Sequence, residues 1–229
     1  MNNTLPDGFV YLSTIDDTIK SNLRYATDNN FLGRIVDGYH STNQVILTEK
    51  AAINLSSAQK IFNKSGWQIL IYDAYRPKKA VEDFIIWAED PHDHKMKDYY
   101  YPTIDKKDSF DLGYISKRSG HTRGSTVDIT LLSIDQNFKS IKNYKRILND
   151  KSEIIFLDDN TIDMGSSFDL FSNASHYQND LISEKHTENR YYMRDIMEAN
   201  GWMSYSKEWW HFSLVDEPFS DTYFDFDVK

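Results

Sequence analysis

The sequence predicts an α+β fold, and three observations lead to that prediction. The chain of 229 residues is long enough for one sizeable hydrophobic core, with two small domains as the weaker alternative. Helical and alternating strand patterns both occur along it. They do not follow the regular strand–helix–strand order that is typical of a parallel sheet. Because no internal repeat or low-complexity linker divides the chain, we treat residues 1–229 as a single domain.

The first half of the chain contains the clearest helix signals. Thr48 is a suitable N-cap for a helix that Gly66 ends, with apolar residues at helical spacing between them. Residues 67–75 carry apolar side chains on both faces of a predicted strand, as in the centre of a sheet. Pro77 begins a second helix, since proline is tolerated in the first helical turn. Residues 91–107 are polar, charged and aromatic, and we expect a long loop there.

The second half alternates between strands and a helix. Residues 126–131 have apolar side chains on one face and polar ones on the other, which predicts a strand. Residues 135–160 are rich in Lys, Asn and Asp, and a surface insertion over 132–161, folded as a hairpin or a helix, is predicted. A helix is expected over 189–199, with Tyr192, Ile196 and Ala199 inward, and a last strand over 209–215.

Composition excludes several classes of function. The net charge of −9 argues against binding a nucleic-acid backbone and against a polybasic membrane anchor. The chain has no cysteine, so disulfides, thiolate metal ligands and a cysteine nucleophile are excluded. Residues 1–20 lack the basic and apolar regions of a secretory signal, and no apolar run is long enough to span a membrane. We therefore expect a cytoplasmic protein.

Two short segments, residues 119–128 and 208–211, carry a candidate metal site. They supply two imidazoles and a carboxylate, from His121, Asp128 and His211. A catalytic zinc ion takes three such ligands and keeps a fourth position for water. Glu208 is then left as a general base. The spacing alone leaves open that the tryptophans between Glu208 and His211 belong to the core and that no metal is bound.

The spacing of Glu208 and His211 sets a structural condition. Residues three apart on a straight strand point to opposite faces of the sheet. For both to reach one metal site, the chain must bend near Trp209, or Glu208 must precede the strand.

Several blocks of the sequence, taken together and in order, closely resemble a known family. The blocks are residues 23–27, 73–77, 119–128, 164–169, 208–211 and 223–226. They are similar to the zinc D-Ala-D-Ala peptidases, in particular the VanX-type D-alanyl-D-alanine dipeptidases, which share a fold with hedgehog signalling domains. The resemblance covers nearly the whole chain. It implies a central, mostly antiparallel sheet flanked by helices.

The resemblance also implies the chemistry of the site. One zinc ion per chain would be held by His121, Asp128 and His211. Glu208 would activate a zinc-bound water for hydrolysis of D-alanyl-D-alanine to two D-alanines. Arg76 would stabilise the oxyanion, since a guanidinium keeps its charge and offers fixed donors. From its motif alone, Arg76 is better explained as a structural salt bridge with Asp73.

The substrate-binding residues are likewise carried over from the resemblance. Asp169 and Ser119 match residues that bind the substrate ammonium. Without the family resemblance, Asp169 would be interpreted as a surface or capping acid and Ser119 as a turn residue. Tyr25, Tyr39 and Asp73 match positions that line or support the site. A carboxylate facing a free amino group would favour dipeptides, because an acylated terminus leaves that carboxylate buried and unpaired.

Two rival functions and two departures from the family pattern remain at this point. The chain could be a D,D- or L,D-carboxypeptidase acting on cell-wall peptides, or a zinc-containing binding domain without activity. Asp28 stands where the family sometimes has an aromatic residue, and the segment 132–161 is longer than in compact members.

The expected partner is a small dipeptide, with no nucleic acid and no membrane; a homo-oligomer is left open.

Overall fold

A computed structural model describes residues 5–40 and 44–229. The strands are β1 (Phe9–Tyr11), β2 (Lys20–Ser21), β3 (Ile46–Thr48), β4 (Trp67–Asp73), β5 (Thr126–Ser133), β6 (Lys142–Ile147), β7 (Glu153–Asp158), β8 (Trp202–Tyr205) and β9 (Glu208–Leu214). The α-helices are α1 (Glu49–Lys64), α2 (Lys78–Glu89), α3 (Lys97–Tyr100) and α4 (Glu184–Ala199). A 3₁₀ turn, Gly120–Arg123, precedes β5.

The central sheet has five strands in the order β2-β4-β5-β9-β8. The pairs β4–β5, β5–β9 and β9–β8 are antiparallel, and only the short β2 runs parallel to β4. The prediction of an α+β fold with a mostly antiparallel central sheet is therefore confirmed. None of the described helices is long and apolar enough to cross a membrane.

Strands β4 and β5 are buried on both faces, as an interior position in the sheet requires. Their register brings the motif residues together. Ile71 pairs with Ile129, and a bulge at the next step places Asp73 opposite Asp128. On the other side of β5, Asp128 pairs with His211 of β9. One row across three strands thus contains three of the predicted site residues.

Helix α1 begins and ends as its sequence predicts. The Thr48 hydroxyl accepts from the Ala51 backbone N–H, and Gly66 follows the helix with φ +79°. The Thr48 cap also contacts the loop before β5. Its N–H donates to the Gly124 carbonyl at 2.8 Å, and its hydroxyl lies 2.7 Å from that of Ser125. The start of α1 is therefore hydrogen-bonded to the residues that directly follow the 3₁₀ turn of His121.

The prediction of a long loop over 91–107 is wrong in part. This segment contains α3 and a 3₁₀ turn at Lys106–Asp108, and Tyr100 and Tyr101 are buried. Burial of the two aromatic rings fixes backbone that polar composition alone would leave open. Helix α2, by contrast, follows Pro77 as predicted.

Helix α4 begins five residues earlier than its apolar pattern suggests, because Ser183 and His186 form a capping box. Its inward face was predicted in part: Tyr192 and Ile196 pack half-buried against the core, whereas Ala199 is exposed. Met193, Met197 and Arg190, which the prediction did not name, are the fully buried residues of this face.

Buried Arg190 explains why α4 presents that face. Its guanidinium donates to the carbonyls of Met164, Ala174 and His176 at 2.7–2.8 Å. A fourth bond goes to the Ser166 hydroxyl at 3.2 Å. Because its donors are satisfied, the buried cation holds the irregular segment 164–176 in place. Asp169 lies in this segment.

The region 132–161 folds as a hairpin after β5 ends at Ser133. Strands β6 and β7 form an antiparallel pair of their own, and β6 is mostly exposed. The base of the hairpin is joined to the core. Asp159 forms a buried ion pair with Arg24, and Tyr72 donates to it at 2.7 Å.

Gly124 gives a direct test of this packing. Its φ is +79°, and a Cβ there would lie 2.2 Å from Cε1 of Phe9. We expect Gly124→Ala to lower the free energy of unfolding by about 1–3 kcal/mol through backbone strain and overpacking. Urea unfolding measures the change. Gly66→Ala is the matched control, because Gly66 has the same φ and nothing within 4 Å of the added carbon. Equal losses in both variants would contradict the packing part of the account.

Candidate active site

Three donor atoms form a compact triangle at the edge of the central sheet. His211 Nδ1 lies 3.1 Å from Asp128 Oδ1, and His121 Nε2 lies 3.3 Å from the same oxygen. The two imidazole nitrogens are 3.4 Å apart. In the described part of the chain, these three residues form the cluster of potential ligands that is close enough together to hold a metal ion.

The size of the triangle fits a tetrahedral metal ion. Zinc binds imidazole nitrogen at ~2.0–2.1 Å, so two ligands of a tetrahedral ion are separated by roughly 3.3 Å. All three measured separations are close to this value. Two nitrogens and one oxygen are also a donor set that zinc accepts. The residues therefore fit the metal that the sequence predicts.

The backbone fixes which nitrogen of His121 faces the triangle. His121 Nδ1 lies 2.8 Å from the Ala74 carbonyl and 3.4 Å from Asp73 Oδ2. A carbonyl only accepts, so Nδ1 carries the proton and Nε2 presents its lone pair to the metal position. The residue after β4 thereby orients a ligand on the 3₁₀ turn.

The ligands also have suitable protonation states. Burial by itself would raise the pKa of Asp128, but the imidazoles of His121 and His211 outweigh it and hold that pKa well below its usual range. Burial lowers the pKa of His211 in spite of the attraction of Asp128. An ionised carboxylate and a neutral imidazole are the forms that coordinate a metal.

Glu208 reaches the same side of the sheet as His211 because β9 is irregular at its start. The register between β8 and β9 shifts from Ser204–Phe212 to Tyr205–Glu208. This bulge meets the condition set by the sequence spacing, and Glu208 Oε2 lies 3.4 Å from His211 Nδ1. Burial, together with the charges of Asp128 and Asp169, raises the pKa of Glu208 well above its usual range.

Arg76 forms the salt bridge that its motif predicts and also lines the cavity. Its Nε donates to Asp73 Oδ2 at 2.9 Å, which is the structural salt bridge. The other end of the guanidinium faces the cavity, where Nη2 lies 3.6 Å from Asp128 Oδ2. The rings of Tyr25 and Phe84 flank it at 4.9 and 5.1 Å. The salt bridge thus orients a guanidinium whose Nη2 lies beside the candidate metal ligand Asp128.

Asp169 and Tyr25 form a buried pair in the cavity wall. The Tyr25 hydroxyl donates to Asp169 Oδ2 at 2.8 Å, and Asp169 has a left-handed backbone with φ +59°. Burial, followed by the charge of Asp128, raises the pKa of Asp169 well above its usual range. The charge of Arg76 opposes this rise without outweighing it, so the ionised carboxylate is compensated only in part. Ser119, at the start of the 3₁₀ turn, is also buried and lines the cavity.

Tyr39 and Asp73 lie behind the cavity and are absent from its lining. The Tyr39 hydroxyl donates to Asp73 Oδ1 at 2.6 Å, and Asp73 in turn contacts Arg76 and His121. Of the two roles expected for these residues, lining or supporting the site, the geometry favours support. Asp28 is exposed and also lies outside the lining.

The cavity has a volume of about 620 Å³. The sequence interpretation missed much of its wall, namely the irregular segment 110–118 and Trp210. Trp210 lies between two motif residues, so its place in the motif was an available signal. Segment 110–118 has no periodic pattern, and only its position directly before Ser119 linked it to the site.

Comparison with known proteins identifies the family. The model of the peptidase family described as D-ala-D-ala dipeptidase matches residues 6–139 and 154–229. The chain belongs to this family. It is therefore a metallopeptidase, and the resemblance inferred from the sequence blocks is confirmed. The residues between the two matches, 140–153, comprise β6 and the turn that follows it.

Individual relatives support the same assignment. The chain is 37% identical to a D-alanyl-D-alanine dipeptidase of Enterococcus faecalis over 98% of its own length and 100% of the relative. It is 34% identical to a protein of that name from Streptomyces coelicolor, over 96% of this chain and 98% of the relative. A more distant relative of the same name, from Escherichia coli, is 26% identical over 90% of this chain and 83% of its own length.

Metal binding tests the donor triangle directly. We expect the purified protein to bind one zinc ion per chain, measured by elemental analysis after dialysis. His121→Ala should lose most of the bound zinc, because two protein ligands hold the ion far more weakly than three. His94→Ala is the control, since His94 is exposed on the segment after α2. Full zinc content in His121→Ala would contradict this assignment of ligands.

Proposed function

We propose that the protein hydrolyses D-alanyl-D-alanine to two D-alanines with one zinc ion per chain. The names of its relatives supply the substrate. The observation that carries the proposal is the donor triangle of His121, Asp128 and His211, which has a tetrahedral edge length and keeps one side open to the cavity. The three-ligand arrangement is typical of catalytic rather than structural zinc.

When bound, zinc would polarise the peptide carbonyl and lower the pKa of a water molecule at its open position. Glu208 is the group placed to handle the proton. Its carboxylate accepts a proton from the attacking water, whose oxygen forms the new bond to the carbonyl carbon. Glu208 then gives that proton to the leaving amine as the carbon–nitrogen bond breaks. A pKa raised by burial makes Glu208 a stronger base than an exposed glutamate.

Arg76 would stabilise the negative charge that develops on the carbonyl oxygen. Its Nε is occupied by Asp73, whereas its Nη2 lies 3.6 Å from Asp128 Oδ2 in the cavity wall. The flanking rings of Tyr25 and Phe84 exclude water on its sides, which strengthens its interaction with an oxyanion. Tyr39 and Asp73 support this role as positioning residues, since they hold the guanidinium from behind.

Asp169 would bind the ammonium group of the dipeptide together with Ser119, which lines the same cavity. Arg76 compensates the buried carboxylate only in part, and the substrate ammonium would supply further positive charge. Tyr25 orients the carboxylate through its hydroxyl. This arrangement favours a free amino terminus and therefore a dipeptide over a longer or acylated peptide.

We further propose that the chain acts as one catalytic domain, with residues 132–161 containing a surface insertion. The gap in the family match at 140–153 supports this interpretation. The exposed strand β6 and its separate pairing with β7 also support it.

Release of D-alanine by the zinc-loaded protein tests the proposed function. We expect rapid release from D-alanyl-D-alanine, and little from N-acetyl-D-alanyl-D-alanine or L-alanyl-L-alanine. Equal cleavage of the acetylated substrate would instead favour a carboxypeptidase. Zinc-loaded protein that cleaves none of the three would contradict the proposal and favour a binding domain.

Asp169→Asn tests recognition of the ammonium group. Asparagine tolerates the left-handed backbone, so the exchange removes the charge and keeps the shape. We expect kcat/KM for the free dipeptide to fall roughly 10- to 100-fold, the value of about one charge-assisted hydrogen bond, with no comparable loss on the acetylated substrate. Asp28→Asn serves as the control. Parallel losses on both substrates would show that Asp169 has another role.

Glu208→Gln tests the proton transfer. We expect kcat to fall by about 10²- to 10⁴-fold, because the amide cannot accept the proton, while zinc content stays the same. Steady-state kinetics and elemental analysis on the same sample separate the two effects. Glu89→Gln, an exposed exchange at the end of α2, should leave both unchanged. Near-normal turnover in Glu208→Gln would rule out its role as the base.

A further inference from the structure

The mouth of the active-site cavity carries two cations that have no carboxylate partner within residues 5–40 and 44–229. Lys117 and Arg118 line the cavity and are exposed to solvent. Arg123, a third cation of the lining, is already paired with Glu217. Asp111 is the acid at the mouth, so the two free cations outnumber it. In a chain of net charge −9, this local excess of positive charge needs an explanation.

Aromatic rings hold both cations in place. The Lys117 ammonium lies 5.6 Å from the centre of the Phe110 ring, which itself lines the cavity. The Arg118 guanidinium lies 5.0 Å from the centre of the Tyr223 ring. Contacts of this kind stabilise a cation without neutralising it. The two side chains are therefore placed at the mouth and keep their charge available to a ligand.

Among the described lining residues, the interior of the cavity has no free cation comparable to Lys117 and Arg118. Arg76 is engaged by Asp73 through Nε and approaches Asp128 with Nη2. The remaining charged groups of the interior, Asp128, Asp169 and Glu208, are acids. A free dipeptide carries one ammonium and one carboxylate. Its ammonium is matched by buried Asp169, and no free interior cation remains for its carboxylate.

The direction of the substrate follows from this distribution of charge. The amino end lies against buried Asp169, and the scissile carbonyl lies at the metal position. The carboxyl end then extends toward the open side, and a whole dipeptide spans only roughly 7 Å. Lys117 and Arg118 are exposed residues of the lining, on the open side of the cavity.

We propose that Lys117 and Arg118 bind the carboxylate of the dipeptide and select substrates with a free carboxyl terminus. This inference rests on the proposed function and adds a determinant of specificity to it. The carboxylate does not change during the reaction, so its binding contributes equally to the ground state and the transition state. Its loss raises KM and leaves kcat nearly unchanged. The same charges attract an anionic group from solution, an effect that salt screens.

Steady-state kinetics of the zinc-loaded enzyme test the assignment, with D-alanyl-D-alanine and its C-terminal amide as substrates. The variants are Lys117→Gln, Arg118→Gln and the double exchange, with Lys60→Gln as a control on the exposed face of α1. For the free dipeptide, we expect KM to rise roughly three- to tenfold in each single variant and more in the double variant. Values for the amide should not change. Lys117→Arg should keep KM close to the wild-type value, since arginine retains the positive charge.

The outcomes separate this inference from the proposed function. The assignment is supported if the wild-type enzyme prefers the free dipeptide over its amide and the double variant shows a smaller preference. An unchanged preference in the double variant would place carboxylate recognition elsewhere and overturn the assignment, while the dipeptidase function stands. A fall in kcat on both substrates would also overturn it. Zinc-loaded wild-type enzyme that is inactive on the dipeptide would overturn both.

Discussion

The site depends on the register of three strands. Asp128 lies between Asp73 on β4 and His211 on β9, and a bulge in β4 sets the first of these pairings. A shift of one residue in a strand turns its side chains to the opposite face of the sheet. Such a shift in β5 would remove Asp128 from the donor triangle, and one in β9 would remove His211. Burial of both faces of β5 makes such a shift costly, so the hydrophobic core and the candidate metal site enforce the same alignment.

The electrostatics of the site follow from burying several carboxylates close together. Asp73, Asp128, Asp169 and Glu208 are all buried, and Arg76 is the cation among them. Buried charges of one sign are unfavourable unless cations compensate them. A divalent ion at the triangle and an ammonium at Asp169 would supply that compensation. Binding of metal and substrate is in this view coupled to the stability of the folded state, because both relieve the same repulsion.

The parts of the molecule that the sequence predicted are those governed by local rules. The cap at Thr48 and the strand around Asp128 depend on neighbouring residues, and both are as predicted. The motif blocks, through the family resemblance, identified residues that the structure brings together. The inward face of α4 was predicted only in part, since burial of Arg190 depends on how it reaches carbonyl groups of a distant segment. Segment 110–118 was missed for the same reason: its place in the cavity wall is set by tertiary contacts.

The most direct test of the central claim is the position of zinc in crystals of the metal-loaded protein, located by anomalous scattering at the zinc edge. The account predicts one peak about 2.0–2.2 Å from His121 Nε2, Asp128 Oδ1 and His211 Nδ1, with Glu208 outside the coordination shell. A peak at another position would contradict it. Coordination by Glu208 as a fourth protein ligand would do the same, since a closed site leaves no place for the water that the reaction needs.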